Sequence, residues 1–336
     1  MTTNKTPFIP FTLKLILGFL IFIGMFIISM VFGAANISIK DVWLALTSTS
    51  TNNQILIIRE LRLPREVAAI FVGIALSVSG GIMQGMTRNP LADPGLLGLT
   101  AGAKAALALT IALIPSANYF WIMIACFIGA GVGAGLVFGI GSLKRGGFSP
   151  LRIVLAGAAV STFLYAIADA VGIYFNISKD VSMWTSGGLT LTSWNQLSIV
   201  IPFIIVGTLI ALTLARQLTI LSLSDEVATG LGQHTTKIKV ILFGVIVLLA
   251  GASVALAGNL VFIGLMIPHI VRAIVGTDYR FIIPMSVLIG SSFMLFADTL
   301  ARTINAPYET SIIAVVAMIG LPFFLFIIKK GGHTIR

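Results

Sequence analysis

A few ionisable side chains lie inside long apolar segments, where they could serve a transport pathway. They are Lys104, Asp169, His269 and Asp298. Charged groups at such depths are costly, and they commonly mark a pathway or pair with one another. His269 follows a proline, so it fits either a proton relay or, as we prefer, a structural role beside a freed backbone carbonyl. Asp298 lies four residues before Arg302, a spacing that predicts an ion pair within one helix.

Lys104 lies about ten residues into its apolar segment, and a lysine near mid-membrane costs on the order of 2.5–3.5 kcal/mol. Three interpretations stay open. Lys104 lines a pathway and meets oxygen-rich cargo, it pairs with an acid, or it is a substitution particular to this chain. Asp169 could face the same pathway, but the sequence gives no geometry that decides this.

Residues for enzymatic or metal chemistry are few. Cys126 is the single cysteine, so neither an internal disulfide nor a cysteine cluster can form. His234, His269 and His333 are far apart in the sequence, and no nucleophile–base pair is visible. No G-x-x-x-x-G-K-[ST] phosphate loop occurs, so the chain cannot bind ATP in that manner. We therefore expect no catalytic residue, no bound metal and no cofactor on this chain.

The composition is that of a membrane protein. Of the 336 residues, 57% are hydrophobic and only 10% are charged, and the mean hydropathy is +1.07. A soluble domain carries roughly a quarter charged residues, so much of this surface must face lipid. The net charge of +10 does not form one basic stripe, which argues against nucleic acid as a partner.

The apolar segments predict an all-α, polytopic transmembrane bundle that forms a single domain over residues 1–336. A span needs about 20 mostly apolar residues, and charge clusters together with Pro, Gly and Asn breaks give about ten. The glycines of the segment 129–135 are expected to let helices approach closely. The predicted spans are 15–35, 67–87, 94–114, 119–141, 152–172, 196–215, 240–257, 260–275, 282–301 and 310–328.

The distribution of cations predicts the orientation. If the N-terminus is cytoplasmic, fourteen of the 21 Lys and Arg residues fall inside, six fall outside, and Lys104 falls within a span. Because cytoplasmic loops are enriched in cations, both termini are predicted to be cytoplasmic. The outside arginines are exceptions that need a reason. On the inner side, Arg88 and Asp93 are expected to pair in the turn between the second and third spans.

Ordered motifs along most of the chain resemble one family. That family is the permease family of binding-protein-dependent ABC importers for iron–siderophores, haem and vitamin B12, and the resemblance covers about residues 55–328. The motifs that carry it are Arg62-Leu-Pro-Arg65, Gly80-Gly-Ile-Met-Gln84, Arg88-Asn-Pro-Leu-Ala-Asp-Pro-Gly95, Leu155-Ala-Gly157, Trp184-Thr-Ser-Gly-Gly188, Gly258-Asn-Leu-Val-Phe-Ile-Gly-Leu-Met-Ile-Pro-His-Ile-Val-Arg272, Ala297-Asp-Thr-Leu-Ala-Arg302 and Gly320-Leu-Pro-Phe-Phe324.

The resemblance implies a type II importer permease in the bacterial cytoplasmic membrane, and the chain looks most like a Gram-positive ferric hydroxamate (ferrichrome-type) subunit. The implied partners are a second permease subunit, identical or paralogous, two ATPase subunits that bind ATP, and an extracytoplasmic substrate-binding lipoprotein. The implied cargo is a ferric siderophore. The family usually has a small residue where this chain has Lys104. Lys104, Asp169 and Gln84 are the candidates for lining the pathway.

Three outer arginines are candidates for docking the binding protein. Arg62 and Arg65 share a face of a helix that we expect to begin near Pro64, and Arg302 closes the ninth span on the same side. In the family that this chain resembles, arginines at these positions meet acidic residues of the binding protein. Exposed guanidinium groups suit such pairing. The alternative is that they anchor helix ends by snorkelling; we favour docking.

The loop 216–239 between the sixth and seventh spans predicts a short cytoplasmic helix. Ser224 is a suitable N-cap, acidic residues suit the first turn, and Gly230 or Gly232 can end the helix. A helix this short needs a partner surface, and the resemblance implies that it couples to the ATPase. The alternative is an ordinary connecting loop. The predicted coupling residues are Ser224, Asp225, Glu226, Val227, Ala228, Gly230, Leu231 and Gly232.

Other functions fit the residues less well. The same importer class could carry haem or vitamin B12 instead of ferric hydroxamate. An ion-driven secondary transporter would need inward-facing acids or broken helices that form an ion site, and the few buried charges are scattered over four spans. A receptor or structural membrane protein would not need the coupling loop, and an enzyme is the least favoured alternative.

Overall fold

The described residues form a bundle of helices without strands. The structure is a computed structural model, and it describes residues 10–33, 37–48, 52–142, 150–186, 188–190 and 192–331. A π-helical turn (Ile58–Arg62) joins α3 to α4, and a 3₁₀ turn (Pro94–Leu97) precedes α5. The α-helices of this part are α1 (Phe11–Val31), α2 (Ile39–Thr47), α3 (Asn53–Ile57), α4 (Leu63–Thr87), α5 (Leu99–Leu113), α6 (Tyr119–Ser142), α7 (Pro150–Tyr174), α8 (Ser178–Ser186), α9 (Trp194–Thr213), α10 (Ala215–Leu221), α11 (Asp225–Gly230), α12 (Thr235–Ala257), α13 (Ile263–Val275), α14 (Tyr279–Thr303) and α15 (Ile312–Gly331).

Apolar helices of spanning length confirm a polytopic helical membrane protein. Within the described residues, seven helices are long and apolar enough to cross a membrane, and three shorter apolar helices accompany them at Leu99–Leu113, Ile263–Val275 and Ile312–Ile327. Each of the ten predicted spans overlaps one of these helices. The number that crosses the membrane, the single-domain organisation and the cytoplasmic termini stay predictions. Residues 1–9 and 332–336, which hold both chain ends, lie outside the described residues, as do Lys144, Arg145 and Gly187.

The segment that precedes α4 differs from the expectation. The α-helical segment begins at Leu63, beside Pro64 as predicted, but it continues a helical run that starts at Asn53. Proline has no N–H and crowds the preceding turn, so an interior proline usually breaks a regular helix. Here the wider π-helical turn just before Pro64 lets the chain stay helical. The predicted start near Pro64 therefore matches the start of α4, while the continuous helical run begins eleven residues before Pro64.

Helix α4 is the centre of the bundle, because most of its residues are buried. It packs closely on its neighbours at glycines. A Cβ atom at Gly73 would overlap the carbonyl of Gly290 in α14, and one at Gly80 would overlap the carbonyl of Gly264 in α13. Such contacts let backbones approach in lipid. In α6, a Cβ at Gly129 would likewise overlap a carbonyl of α5, and one at Gly133 would overlap the carbonyl of Gly98, which confirms the predicted packing role for these two glycines of the segment.

Helix α13 is too short to cross the membrane alone. Its 13 residues at about 1.5 Å each extend about 20 Å, against a hydrocarbon core of about 30 Å. Residues 258–262 separate it from α12, and Gly258 and Phe262 have positive φ angles of 73° and 69°. The predicted spans 240–257 and 260–275 are thus distinct helices joined by a short non-helical segment. The N-terminus of α13 packs beside Asp93, which precedes the 3₁₀ turn.

Candidate functional site

A cluster of charges lies where α4 begins and α14 ends, and we call this the arginine end of the bundle. Arg65 Nε lies 2.9 Å from Asp298 Oδ1, and Arg65 Nη1 lies 2.7 Å from Glu309 Oε1. Arg302 Nη2 lies 2.6 Å from Glu66 Oε1, and its Nε lies 2.9 Å from Asp298 Oδ2. Asp298 therefore holds two arginines at once, and the predicted ion pair between Asp298 and Arg302 is confirmed.

The cluster also fixes the end of α1. The Ser29 hydroxyl donates to Glu66, and Arg302 Nη2 donates to the Ser29 hydroxyl at 2.9 Å. Arg62 Nη1 donates to the carbonyl of Met30 at 2.6 Å and to that of Val31 at 3.2 Å. Those carbonyls belong to the last turn of α1, whose final C=O groups have no partner within the helix. The arginine end thus joins α1, α4 and α14 through buried hydrogen bonds.

The structure corrects the expectation that the outer arginines are exposed. Arg62, Arg65 and Arg302 are only 8%, 9% and 4% exposed. Their guanidinium groups hold acids and carbonyls of the same chain, because a buried charge must be paired and hydrogen-bonded to be stable. Glu66, which is fully buried at the start of α4, was not among the predicted site residues. An acid followed by a long apolar run was the available signal. Docking through these arginines stays a prediction.

Glu309 is the most accessible acid of this cluster. It lies between α14 and α15, its side chain is 33% exposed, and Thr190 Oγ1 donates to its Oε2 at 3.0 Å. Partial burial raises its pKa, but the hydrogen bond and charge of Arg65 outweigh this, so the pKa of Glu309 is lowered from its usual range. The carboxylate is therefore ionised at neutral pH and available to hold Arg65.

The opposite end of the bundle holds α11, and we call it the coupling end. Ser224 caps α11 by accepting the N–H of Val227 at 3.0 Å. The helix ends at Gly230, and Gly232 follows with a φ of 80°. The short helix predicted from the cap signals is confirmed. Its own backbone N–H and the Ser224 hydroxyl lower the pKa of Glu226, so this carboxylate is ionised at the helix N-terminus, where negative charge is stabilising.

One side of α11 and its flanks is apolar and open. Leu223, Val227 and Leu231 are 66%, 44% and 64% exposed, whereas Ala228 is fully buried against the rest of the chain. Val227 and Leu231 are four apart, so they lie on one side of α11, and Leu223 lies just before its N-cap. Neighbouring exposed apolar side chains outside the apolar spanning helices are typical of a contact with another protein.

Asp225 connects α11 to two long helices. Lys239 Nζ in α12 lies 2.7 Å from Asp225 Oδ2, and Arg88 Nη2 at the end of α4 lies 3.8 Å from Oδ1. The predicted pair of Arg88 with Asp93 is wrong, because Arg88 adopts a left-handed C-cap with a φ of 55° and extends to α11. Asp93 instead accepts the N–H of Gly95 at 2.7 Å. A cavity of about 390 Å³ lies beside Asp225 and between α4, α6, α7 and α12.

Gln84 does not line an open pathway. Its side chain is 2% exposed, and its Nε2 donates to the carbonyls of Gly264 and Leu265 at 3.2 and 3.1 Å. Its Oε1 accepts a hydrogen bond from Arg272. All three partners belong to α13, so Gln84 fastens this short helix to α4. The expectation that it lines the pathway is corrected: the amide satisfies carbonyls at the start of α13.

Lys104 and Asp169 form a pair at membrane depth. Lys104 Nζ in α5 lies 2.8 Å from Asp169 Oδ1 in α7, and it lies 5.4 Å from the centre of the Tyr165 ring. Of the three interpretations left open for Lys104, the structure supports pairing with an acid. The Asp169 side chain is 62% exposed, against 21% for Lys104, so the pair also reaches an open surface of the chain.

Residues 20–330 match the model of the FecCD transport family. This chain belongs to the FecCD transport family. The chain is 43% identical over 314 residues to the iron(3+)-hydroxamate import system permease protein FhuB of Bacillus subtilis, covering 93% of this chain and 81% of FhuB. It is 38% identical over 330 residues to the hemin transport system permease protein HmuU of Yersinia pestis, covering 94% and 96%. The resemblance seen in the motifs is confirmed.

A solved structure agrees with this FecCD assignment. It is described as an inward-facing conformation of a metal-chelate type ABC transporter, with a TM-score of 0.81 and 25% identity over 96% of this chain and 100% of that one. PsaBC from Streptococcus pneumoniae matches with a TM-score of 0.62 and 16% identity over 85% and 94%. At that identity the second likeness concerns the fold alone.

Proposed function

We propose that this FecCD protein is the membrane-spanning permease of an ATP-driven importer that carries ferric hydroxamate across the bacterial cytoplasmic membrane. A second permease, identical or paralogous, completes the pathway. Two ATPase subunits bind and hydrolyse ATP, and an extracytoplasmic binding lipoprotein delivers the cargo. The chain itself binds no cofactor and does no chemistry on the cargo. It alternates between outward and inward access, and weak contacts along the pathway allow release.

The exposed apolar side of α11 is the observation that carries this proposal. Six helical residues are too few for a helix that is stable in water by itself. Yet α11 is capped by Ser224 and presents Val227 and Leu231 to its surroundings. A groove on an ATPase would cover these side chains, as expected for a helix-in-groove contact. The coupling role of Ser224, Asp225, Glu226, Val227, Ala228, Gly230, Leu231 and Gly232 is part of the proposal.

The ion pairs of Asp225 would carry a displacement of α11 into the bundle. Through Lys239 the shift reaches α12, and through Arg88 it reaches the end of α4. The cavity beside Asp225 leaves room for such a shift without overlap of packed side chains. Closure of the ATPases around ATP would thus move the inner ends of the two helices together.

Docking of the binding lipoprotein at the arginine end also belongs to the proposal. Because the guanidinium groups of Arg62, Arg65 and Arg302 are used within the chain, a partner carboxylate has to compete with an internal acid. Glu309 is the accessible one. A carboxylate on the binding protein would replace Glu309 at Arg65, and charge complementarity of this kind speeds and orients association.

Ferric hydroxamate is the preferred cargo for two reasons. The motif resemblance favours it, and a relative named for iron(3+)-hydroxamate import shares 43% of residues with this chain. Hemin remains the alternative cargo, since a hemin permease shares 38%, and vitamin B12 is a further one. An ion-driven secondary transporter fits less well, because the buried Glu66 and Asp298 and the half-buried Lys104 hold partners in the same chain.

The test is uptake of radiolabelled iron as ferrichrome by cells that lack this chain, with and without its restoration. Restored uptake that disappears when the partner ATPase is depleted supports both the importer and its cargo class. Restored uptake that survives ATPase depletion but stops when the proton gradient is collapsed would contradict the ATP-driven mechanism. If uptake of hemin or vitamin B12 is restored instead, the mechanism holds and the cargo assignment is wrong.

A further inference from the structure

The two members of the Lys104–Asp169 pair differ in exposure, and a simple structural ion pair does not need this sidedness. The lysine side chain is 21% exposed and the aspartate 62%. The Tyr165 ring, 5.4 Å from Nζ, covers the ammonium group, an arrangement that stabilises a cation. The Lys104 ammonium group is thus the more buried member of the pair, and the Asp169 carboxylate lies nearer the surface. Although the pair carries no net charge, its accessible edge is negative.

The exposed carboxylate of Asp169 is unsuited to lipid. On α7, Thr162, Ala166 and Asp169 are all exposed and recur at helical spacing on one side, which Leu155 and Ile173 continue with exposed apolar side chains. A carboxylate at membrane depth is costly in hydrocarbon and almost always faces a bundle interior or water. Asp169 is five residues from the end of α7, about 8 Å along the axis. This side of α7 therefore borders a water-containing space within the assembled protein.

From this sidedness we infer that the Lys104–Asp169 pair is a charge filter on the cargo pathway, which favours neutral or cationic ferric chelates over anionic ones. The inference rests on the proposed import function and adds the charge class of the cargo. Three hydroxamate groups each lose one proton and so neutralise Fe³⁺, whereas catecholate and citrate chelates keep a net negative charge. A negative edge attracts a cationic chelate and repels an anionic one. The neighbouring Lys104 cation lowers the free-energy cost of keeping the Asp169 carboxylate charged within the membrane.

The test must separate passage through this chain from recognition by the binding protein. A single linear trihydroxamate with a terminal amine provides the probes: the free amine is cationic, its acetylated form neutral, and its succinylated form anionic. Iron coordination is the same in all three. Affinity of the binding protein for each chelate is measured separately, and uptake of radiolabelled iron by the complete transporter is divided by the occupancy of the binding protein.

Asp169→Asn removes the negative edge and leaves Lys104 without its partner. Two unit charges about 6 Å apart in water interact enough to change a rate about threefold. Cation uptake should fall and anion uptake should rise by about that factor, so the cation-to-anion ratio should drop about tenfold. Lys104→Met should change the ratio in the opposite direction. Thr162→Val, on the same side of α7 but without charge, should leave the ratio unchanged.

A charge-swapped variant covers the case in which the single variants fail to insert. Lys104→Glu combined with Asp169→Lys keeps an ion pair but puts the cation outward, so the ratio should invert. If the ratio in Asp169→Asn, or in the swapped variant, equals that of the unmodified chain, the filter is refuted and this side of α7 contacts another subunit. Failure of the proposed function looks different, because the unmodified chain would then import none of the three chelates.

Discussion

The two ends of the bundle use charged residues in opposite ways. At the arginine end, Arg65 and Arg302 are buried and hold acids of the same chain, so the charges are neutralised internally. At the coupling end, the ion pairs of Asp225 are partly open to solvent, and apolar side chains are exposed nearby. One end is complete within the chain, and the other presents a surface that needs a partner.

This difference indicates that the arginine end stabilises the fold and that the coupling end moves. Buried ion pairs in a low-dielectric interior are strongly coupled, and loss of one partner leaves an uncompensated charge. Exposed pairs are screened and contribute little, so Asp225 can exchange partners at low cost when α11 moves. We therefore expect substitutions at the arginine end to change stability and substitutions at the coupling end to change transport.

The largest effect is expected from Asp298→Asn. The substitution keeps the shape of the side chain but removes the charge that holds Arg65 and Arg302. Breaking a buried pair from one side costs about 3–5 kcal/mol. The Tm of the purified transporter and the amount of chain in the membrane should both fall. Asp180→Asn, at an exposed acid in α8, is the matched control; equal Tm values for the two variants would contradict a structural role for the cluster.

The next effect is expected from Val227→Pro at the coupling end. Val227 lies in the first turn of α11, so proline removes the N–H that Ser224 caps and disfavours the helical conformation of the preceding Glu226. Both effects should unfold this six-residue helix without reaching the buried core. Uptake of iron should stop while ATP hydrolysis by the assembled complex continues, and the Tm should change little. Val227→Ala keeps the helix and removes only apolar contact area, so its loss of uptake should be partial. Normal uptake by Val227→Pro would refute the coupling assignment.

Local features of these ends were predictable and distant pairings were not. The cap signals of Ser224 and Gly230 lie within one turn of the helix that they bound, so α11 could be predicted from sequence. Asp298 was correctly paired with Arg302, four residues away. Its second partner, Arg65, is 233 positions away, and only the packing of α4 on α14 brings the two together. No local pattern contains that information.

The wrong expectations have the same origin. Arg88 was paired with the nearest acid in the sequence, Asp93, but a left-handed C-cap directs it to α11. Gln84 was placed on a pathway because polar groups in spans suggest one, yet its partners are the carbonyls at the start of α13. Burial of the outer arginines depended on Glu66, Asp298 and Glu309 meeting from separate elements. Each outcome depends on which helices become neighbours.

A smaller effect is expected from Asp225→Asn, which would weaken the links from α11 to Lys239 and Arg88. Partly exposed pairs contribute roughly 0.2–1 kcal/mol, so the Tm should hardly change, while iron imported per ATP hydrolysed should fall a few-fold. Lys239→Met should have a similar effect. If both residues act through their ion pair, the double variant should be no worse than either single one. Additive losses would contradict transmission through this pair.

The smallest effect is expected from Glu309→Gln, which tests whether the arginine end is complete within the chain. Its pKa is lowered, so the carboxylate holds Arg65 throughout the neutral pH range. Removing that charge should cost less than about 1 kcal/mol of stability, since the group is a third exposed. It should also free one face of Arg65, so the binding protein should dock a few-fold more tightly and with a steeper dependence on salt.

Glu60→Gln, at another exposed acid near this end, controls for the general change in charge. Weaker docking by Glu309→Gln than by Glu60→Gln would mean that Glu309 itself contacts the binding protein, and the arginine end would then be an open surface like the coupling end.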